Sequence, residues 1–149
     1  MGAPVVHFEL NARDGKRAQD FYAALFEWKI DANNPMNYGL VNTGTKKGIG
    51  GGIGQAPSNM PPGPMFYVEV EDLMGCLAKA ESMGARTVVP ITEIPNMVTY
   101  AVFSDPEGLN VGLIKSMPPP KKKAAPRRKA KPAKKRARPK ARAKKSRRR

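Results

Sequence analysis

The sequence has few of the residues that build covalent or metal cross-links, with one cysteine, Cys76, and one histidine, His7, among 149 residues. A single cysteine forms neither an intrachain disulfide nor a thiolate metal site, which fits a reducing compartment. No apolar run approaches the roughly 18 residues that a membrane span requires. The N-terminus lacks the basic start and apolar stretch of a secretory signal. We therefore expect a cytoplasmic protein with no transmembrane segment.

Acidic residues are absent from the C-terminal part of the chain. The chain holds 27 Lys and Arg against 12 Asp and Glu, a net charge of +15. Of the basic residues, 10 Lys and 8 Arg lie within 118–149, where no acidic residue occurs. Residues 1–117 therefore carry a net charge of −3, and they contain all of the patterned apolar sequence. We predict a globular domain over 1–117 and a separate basic tail over 118–149.

The first 117 residues contain an internal repeat. A strand over Pro4–Leu10 precedes a helix whose N-cap is Asp14, and a strand over Met65–Val70 precedes a helix whose N-cap is Asp72. His7 and Met65 stand at the same distance before these caps. Each half reads as strand, helix and three strands. The prediction is an α+β fold of two βαβββ units, about 4–54 and 65–116, joined by a linker over 55–64.

Helical spacing predicts which side chains form the core. In the first helix the apolar face consists of Ala18, Phe21, Tyr22, Leu25 and Trp28. In the second helix it consists of Leu73, Cys76, Leu77, Ala80 and Met83, and Met74 is also assigned to the core. The remaining predicted strands are Tyr38–Asn42, Gly48–Gly54, Thr87–Ile94, Val98–Ser104 and Leu109–Lys115. The segment Asp31–Asn37 reads as a turn, and Met60 is assigned to the linker.

Two stretches resemble one known family. The run HFELNARDGKRAQDFYAALFEWKI resembles the first unit of the vicinal oxygen chelate superfamily, which contains glyoxalases, bleomycin-resistance proteins and extradiol dioxygenases. The run FSDPEGLNVGLIK resembles its last hairpin. The resemblance implies two βαβββ units around a central cleft, and it implies pairing into homodimers. Glu27 departs from the family, whose helix ends in glycine there, so this helix end is expected to differ.

The resemblance also implies where a metal would be held in metal-using members, on the first and fourth strands of each unit. Only His7 of these positions carries a ligating side chain, because the others are Met65, Gly112 and the glycines of GIGGGIG. A divalent ion needs several donors. We therefore expect no metal, no cofactor and no catalytic residue. His7, Met65 and Gly112 remain as residues lining a ligand cleft.

The other polar candidates are weighed against simpler explanations. His7 is either an inward-facing strand residue with one hydrogen bond or a ligand-binding group. Alternation along the strands favours solvent-facing positions for Glu9, Glu69 and Glu71. The GIGGGIG run lacks the spacing of a phosphate-binding loop. Its missing side chains are expected to leave open volume for a neutral, apolar ligand.

The tail has the composition of a nucleic-acid-binding segment and resembles the tails of linker histones. Its lack of aliphatic, aromatic and acidic residues predicts disorder, and its charge predicts non-specific binding to duplex DNA or structured RNA. The predicted contacts are Lys121, Lys122, Lys123, Arg127, Arg128, Lys129, Lys131, Lys134, Lys135, Arg136, Arg138, Lys140, Arg142, Lys144, Lys145, Arg147, Arg148 and Arg149. A solubilising extension and an anionic membrane surface are the alternatives.

The sequence therefore favours a non-catalytic, small-molecule-binding domain tethered to nucleic acid, located at the nucleoid in a bacterium. The alternative is a lyase or oxidoreductase of the same family with a rebuilt active site.

Overall fold

A computed structural model describes residues 2–115 of the chain. The basic tail predicted over 118–149, with its proposed nucleic-acid contacts, lies outside the described residues.

The described part contains two helices and eight strands. Along the chain these are β1 Val5–Ala12, α1 Gly15–Phe26, β2 Lys29–Asp31, β3 Gly39–Asn42, β4 Gly50–Gln55, β5 Gly63–Val70, α2 Leu73–Ser82, β6 Arg86–Ile94, β7 Val98–Ser104 and β8 Asn110–Lys115. The prediction of an α+β fold made of two βαβββ units is confirmed.

All eight strands form one sheet, in the order β2-β3-β4-β1-β5-β8-β7-β6. β1 runs parallel to β4, and β5 runs parallel to β8. The two units join where β1 pairs with β5 in antiparallel fashion, with His7 opposite Tyr67 and Glu9 opposite Met65. The strand order is thus the same read outward from this seam in either direction, as an approximate twofold repeat requires.

Both helices begin as the sequence predicts. The carboxylate of Asp14 accepts a hydrogen bond from the Arg17 backbone N–H, and that of Asp72 accepts one from the Gly75 backbone N–H. Such caps satisfy amides that have no partner within the helix. The expected difference at Glu27 is wrong, because this residue ends α1 in the left-handed conformation that glycine would adopt (φ 57°). No helix within residues 2–115 is long and apolar enough to cross a membrane.

The strand boundaries differ from the prediction around the turns. β2 includes Asp31, which the sequence placed in a turn. β4 begins at Gly50 rather than Gly48, and β5 begins at Gly63 rather than Met65. The linker is therefore shorter than predicted and covers residues 56–62.

The helices pack on one face of the sheet. Behind α2, the side chains of Leu73, Leu77, Ala101 and Leu113 form a buried cluster. On the opposite face, which we call the helix-free face, Met60, Met65, Tyr67 and Val102 form a second buried cluster. Met60 is therefore a core residue, although the sequence assigned it to the linker.

The predicted helix cores are wrong at several positions. Phe21 and Leu25 of α1 are more than half exposed, and so are Met74 and Met83 at α2. The buried residues of α1 are Gly15 and Gln19. Gly15 lies so close to the Gly54–Gln55 backbone of β4 that a Cβ atom would stand 2.9 Å from the Gln55 nitrogen. This close approach, rather than the large apolar side chains, determines which side of α1 faces the sheet.

Candidate functional site

The polar side chains of β1 lie on the helix-free face. Side chains alternate along a strand, and Phe8 packs on the helix side, with its ring centroid 6.0 Å from that of Trp28. His7, Glu9 and Asn11 therefore share the opposite face. Of these residues, His7 and Glu9 are half-buried and Asn11 is buried. Their neighbours across the seam include Tyr67 and Met65.

Glu9 is the centre of a hydrogen-bonded cluster, which we call the Glu9 network. Its Oε2 atom accepts hydrogen bonds from the hydroxyls of Tyr38 and Tyr67, each at 3.1 Å. Its Oε1 atom accepts one from the Asn11 amide at 2.9 Å. The Nε2 atom of His7 lies 2.9 Å from the Tyr38 hydroxyl oxygen. The network thus draws on β1, on β5 and on the residue before β3.

The protonation states in this network follow from burial and from the charge of Glu9. Burial, reinforced by the nearby carboxylate, raises the pKa of the Tyr38 and Tyr67 hydroxyls well above their usual value. Burial lowers the pKa of His7, and the opposing effect of Glu9 is smaller. Both tyrosines therefore keep their protons and donate them to the carboxylate. Because the single Tyr38 proton points to Glu9, neutral His7 donates from Nε2–H to the Tyr38 oxygen.

Three glycines leave room for the tyrosine rings close to the sheet. A Cβ atom on Gly52 would stand 2.0 Å from the Tyr38 hydroxyl oxygen, and one on Gly54 would stand 2.9 Å from a ring carbon of Tyr38. A Cβ atom on Gly112 would stand 2.2 Å from the Tyr67 ring. The expectation that the glycine-rich strand leaves open volume is therefore wrong at Gly52 and Gly54, because the Tyr38 ring fills the space above them.

The residues at the implied metal positions do not fit a divalent ion. His7 is the only one of them with a ligating side chain, and the space beside Gly52 and Gly112 holds tyrosine rings. Within residues 2–115, no group of three or more His, Cys, Asp or Glu side chains is placed to hold a metal. A divalent ion would have only one imidazole and one carboxylate here, and that carboxylate already accepts three hydrogen bonds.

A cavity of about 170 Å³ adjoins the Glu9 network. Asn11 and Met65 line it, together with the linker residues Met60, Pro61 and Pro62 and the turn residue Leu109. The lining is therefore mostly apolar. Asn11 connects the cavity to the carboxylate, since its amide donates to Glu9.

The structure brings the predicted cleft residues to one face. His7 lies beside Tyr67, Met65 lies opposite Glu9, and Gly112 lies opposite Tyr67 on the neighbouring strand β8. The solvent-facing assignment of Glu9 is wrong, because its carboxylate accepts three hydrogen bonds.

Glu69 also differs from its assignment. It lies opposite Ile114, which packs against the cluster of the helix-free face, whereas Glu71 is exposed as expected.

Sequence reasoning missed Tyr38, Tyr67 and Asn11 as members of the site. A signal for Glu9 and Asn11 existed, because they lie two and four residues after His7 and alternation gives all three the same face. The sequence carried no comparable signal for Tyr38, because it reaches Glu9 from a turn 29 residues away in the chain.

The sheet order and the repeated units define a fold shared by a large group of proteins. The sequence profile of the Glyoxalase/Bleomycin resistance protein/Dioxygenase superfamily matches residues 5–113. The chain belongs to this superfamily.

Two mycobacterial proteins are similar to this chain in sequence. CFP32 of Mycobacterium bovis and of Mycobacterium tuberculosis, provisionally named a glyoxylase, is 30% identical in an alignment of 111 residues that covers 70% of this chain. The match spans only 42% of the length of these relatives.

Among solved structures, a superfamily member from Vibrio splendidus has a TM-score of 0.52 at 15% identity, covering 78% of this chain and all of the other. Methylmalonyl-CoA epimerase from Mycobacterium tuberculosis has a TM-score of 0.53 at 14% identity, covering 76% of this chain and 88% of the epimerase. These likenesses show the fold alone.

Proposed function

We propose that this protein binds a small molecule in its cleft without a metal, and that its basic tail holds the domain on nucleic acid. The observation that carries the first half is the placement of Tyr38 and Tyr67. Their rings occupy the space beside Gly52 and Gly112, and their hydroxyls meet on Glu9. A built hydrogen-bonded network thus stands where the family would place metal ligands. The adjoining cavity supplies room for a ligand.

A second candidate is metal-free acid–base catalysis, which would make the protein an enzyme with a rebuilt site. The observation in its favour is the hydrogen-bonded chain from His7 through Tyr38 to Glu9. Such a chain can relay a proton. Against it stands the tyrosine pKa, which burial raises far above neutrality, so that neither hydroxyl is poised to release a proton near pH 7.

Support for the nucleic-acid half comes from composition. Eighteen basic residues without an acidic one lie in 118–149, whereas the domain has a net charge of −3. Neutralising phosphates releases condensed counterions, which gives affinity without sequence preference. A homodimer would present two tails and increase avidity. The tail would place the protein at the nucleoid in a bacterial cytoplasm.

The cleft half is tested on the full-length protein purified at neutral pH. We expect native mass spectrometry to show a bound small molecule or saturable uptake from a metabolite library, and elemental analysis to show less than one divalent ion per chain. A stoichiometric ion that His7→Ala removes would contradict the metal-free site. Turnover of a substrate that Tyr38→Phe abolishes would favour the acid–base candidate instead.

The tail half is tested by salt titration of binding to two unrelated duplexes. If about half of the basic tail residues contact phosphates, the slope of log K against log salt is about −8. One variant replaces Lys121, Lys122, Lys123, Arg127, Arg128 and Lys129 with alanine, and we expect a slope nearer zero on both duplexes. A matched control replaces six exposed basic residues of the domain, Arg13, Lys16, Arg17, Lys29, Lys46 and Lys47. Equal slopes for the two variants, or a strong preference for one duplex, would refute the proposal.

A further inference from the structure

The Glu9 carboxylate has acceptor capacity that the side chains of residues 2–115 do not use. A carboxylate offers about four acceptor positions, and Tyr38, Tyr67 and Asn11 fill three of them. Among residues 2–115, the ion pair formed is Lys16 with Asp20 on the surface of α1, and no Lys or Arg pairs with Glu9. A half-buried carboxylate thus stands without a cationic partner among the described side chains.

His7 does not supply the missing positive charge. Burial lowers its pKa, so the imidazole is neutral at neutral pH, and it donates to Tyr38 rather than to the carboxylate. The two tyrosines are neutral donors as well. Within the part of the chain that the structure describes, the charge of Glu9 is therefore stabilised by neutral hydrogen bonds alone. A cation from outside would gain both the free acceptor position and a Coulomb attraction to the carboxylate.

Tyr38 and Tyr67 direct their hydroxyls to this carboxylate, and two further rings lie beside Tyr67. The centroid of His7 lies 5.7 Å from that of Tyr67, and the centroid of Tyr100 lies 6.4 Å from it at an interplanar angle of 65°. Ring faces attract ammonium groups, most strongly where water is excluded. A carboxylate within a group of tyrosines is a chemistry that favours an organic cation over a strongly hydrated metal ion.

The cavity beside Asn11 indicates the size and polarity of the rest of the ligand. Its volume of about 170 Å³ is close to that of an apolar cavity of about 150 Å³ that accommodates benzene in another protein. Met60, Met65 and Leu109 give it apolar walls. Asn11 lines the cavity and donates to Glu9, so a ligand with its ammonium group on Glu9 would extend past Asn11 to place a small apolar body between these side chains.

We propose that the cleft selects a protonated amine with a compact apolar body, held by the Glu9 carboxylate. This inference rests on the proposed small-molecule-binding function and names its ligand class.

The test compares two ligands of nearly equal shape on the full-length protein, freed of nucleic acid. Isothermal titration calorimetry at neutral pH and physiological salt measures the dissociation constants of benzylammonium and of benzyl alcohol. A hydrogen bond to a charged group contributes roughly 1.5–3 kcal/mol, so we expect benzylammonium to bind at least about tenfold more tightly. Equal affinity would refute the cationic ligand while leaving a small-molecule cleft intact. Absence of benzylammonium binding would also refute it, and the metabolite screen above would judge the proposed function separately.

Two variants test whether Glu9 causes the preference for benzylammonium over benzyl alcohol. Glu9→Gln keeps the shape and removes the charge, and we expect it to lose about tenfold in benzylammonium affinity, with little change for the alcohol. Glu93→Gln is the control, because Glu93 is exposed and faces the other side of the sheet. Its neighbour in β6, Thr92, pairs with Tyr100 on the helix-free face, and side chains alternate along a strand. Unchanged binding in Glu9→Gln would overturn the assignment. Should that variant fail to fold, the comparison of the two ligands on the unaltered protein still decides.

Discussion

Replacing Gly52 with alanine adds a single methyl group and should disturb the centre of the site. The new Cβ atom would stand 2.0 Å from the Tyr38 hydroxyl oxygen, 2.1 Å from Cζ and 2.3 Å from Cε1. The ring must therefore move, and its hydroxyl then leaves both Glu9 and His7. Overpacking costs about 1–3 kcal/mol, and each lost hydrogen bond costs about 1 kcal/mol. We expect the free energy of unfolding to fall by about 3–5 kcal/mol, measured by urea denaturation.

The same strand offers a matched control. Gly50 lies two residues earlier and shares the face of Gly52, but a Cβ atom there meets nothing within 4 Å. Gly50→Ala should be neutral, or stabilising by about 0.4–1 kcal/mol because it restricts the unfolded chain. A second control removes the obstacle, since Gly52→Ala should cost nothing further in a Tyr38→Ala background. If Gly52→Ala were as stable as Gly50→Ala, the placement of the Tyr38 ring would be wrong.

Two further predictions concern buried polar side chains. Gln19 is 5% exposed, and its amide donates to the carbonyls of Asn37 and Ile53, each at 2.9 Å. Gln19→Leu should therefore lower the free energy of unfolding by about 2–3 kcal/mol, measured by urea denaturation. A similar loss for Gln55→Leu, at an exposed position of β4, would show that the two hydrogen bonds do not contribute. Because burial lowers the His7 pKa from 6.5, the unfolded chain takes up this proton before the folded one does, so His7 removes stability as pH falls below about 6.5. The melting temperature of His7→Gln should consequently fall less than that of the unaltered protein between about pH 7.5 and 5.5, and parallel curves would contradict the shifted pKa.

The local signals of the sequence predicted the elements but not the interior of the site. Asp14 and Asp72 identified both helix starts, because a capping carboxylate acts on amides three residues away. The predicted buried face of α1 failed at Phe21 and Leu25, since helix spacing cannot show that Gly15 gives the closest approach to the sheet. Tyr38 escaped notice for a related reason. Its role depends on a glycine 14 residues later, in a strand whose neighbours are set by the whole topology.

The order in which the sheet gains its strands has a consequence for folding. β3 pairs with β2 and β4, and β7 pairs with β6 and β8, all within short stretches of the chain. β1 and β5 instead have partners more than 40 residues away, in β4, in β8 and in each other. Closing such long loops is slow. The central seam between β1 and β5 should therefore form last, after the two groups of locally paired strands, β2 to β4 and β6 to β8.

Glu9 comes from one half of the chain and Tyr67 from the other, and the site therefore exists only once the seam has closed. A molecule bound at Glu9 would hold the two halves together and slow their separation, which makes the unfolding rate a direct measure of occupancy.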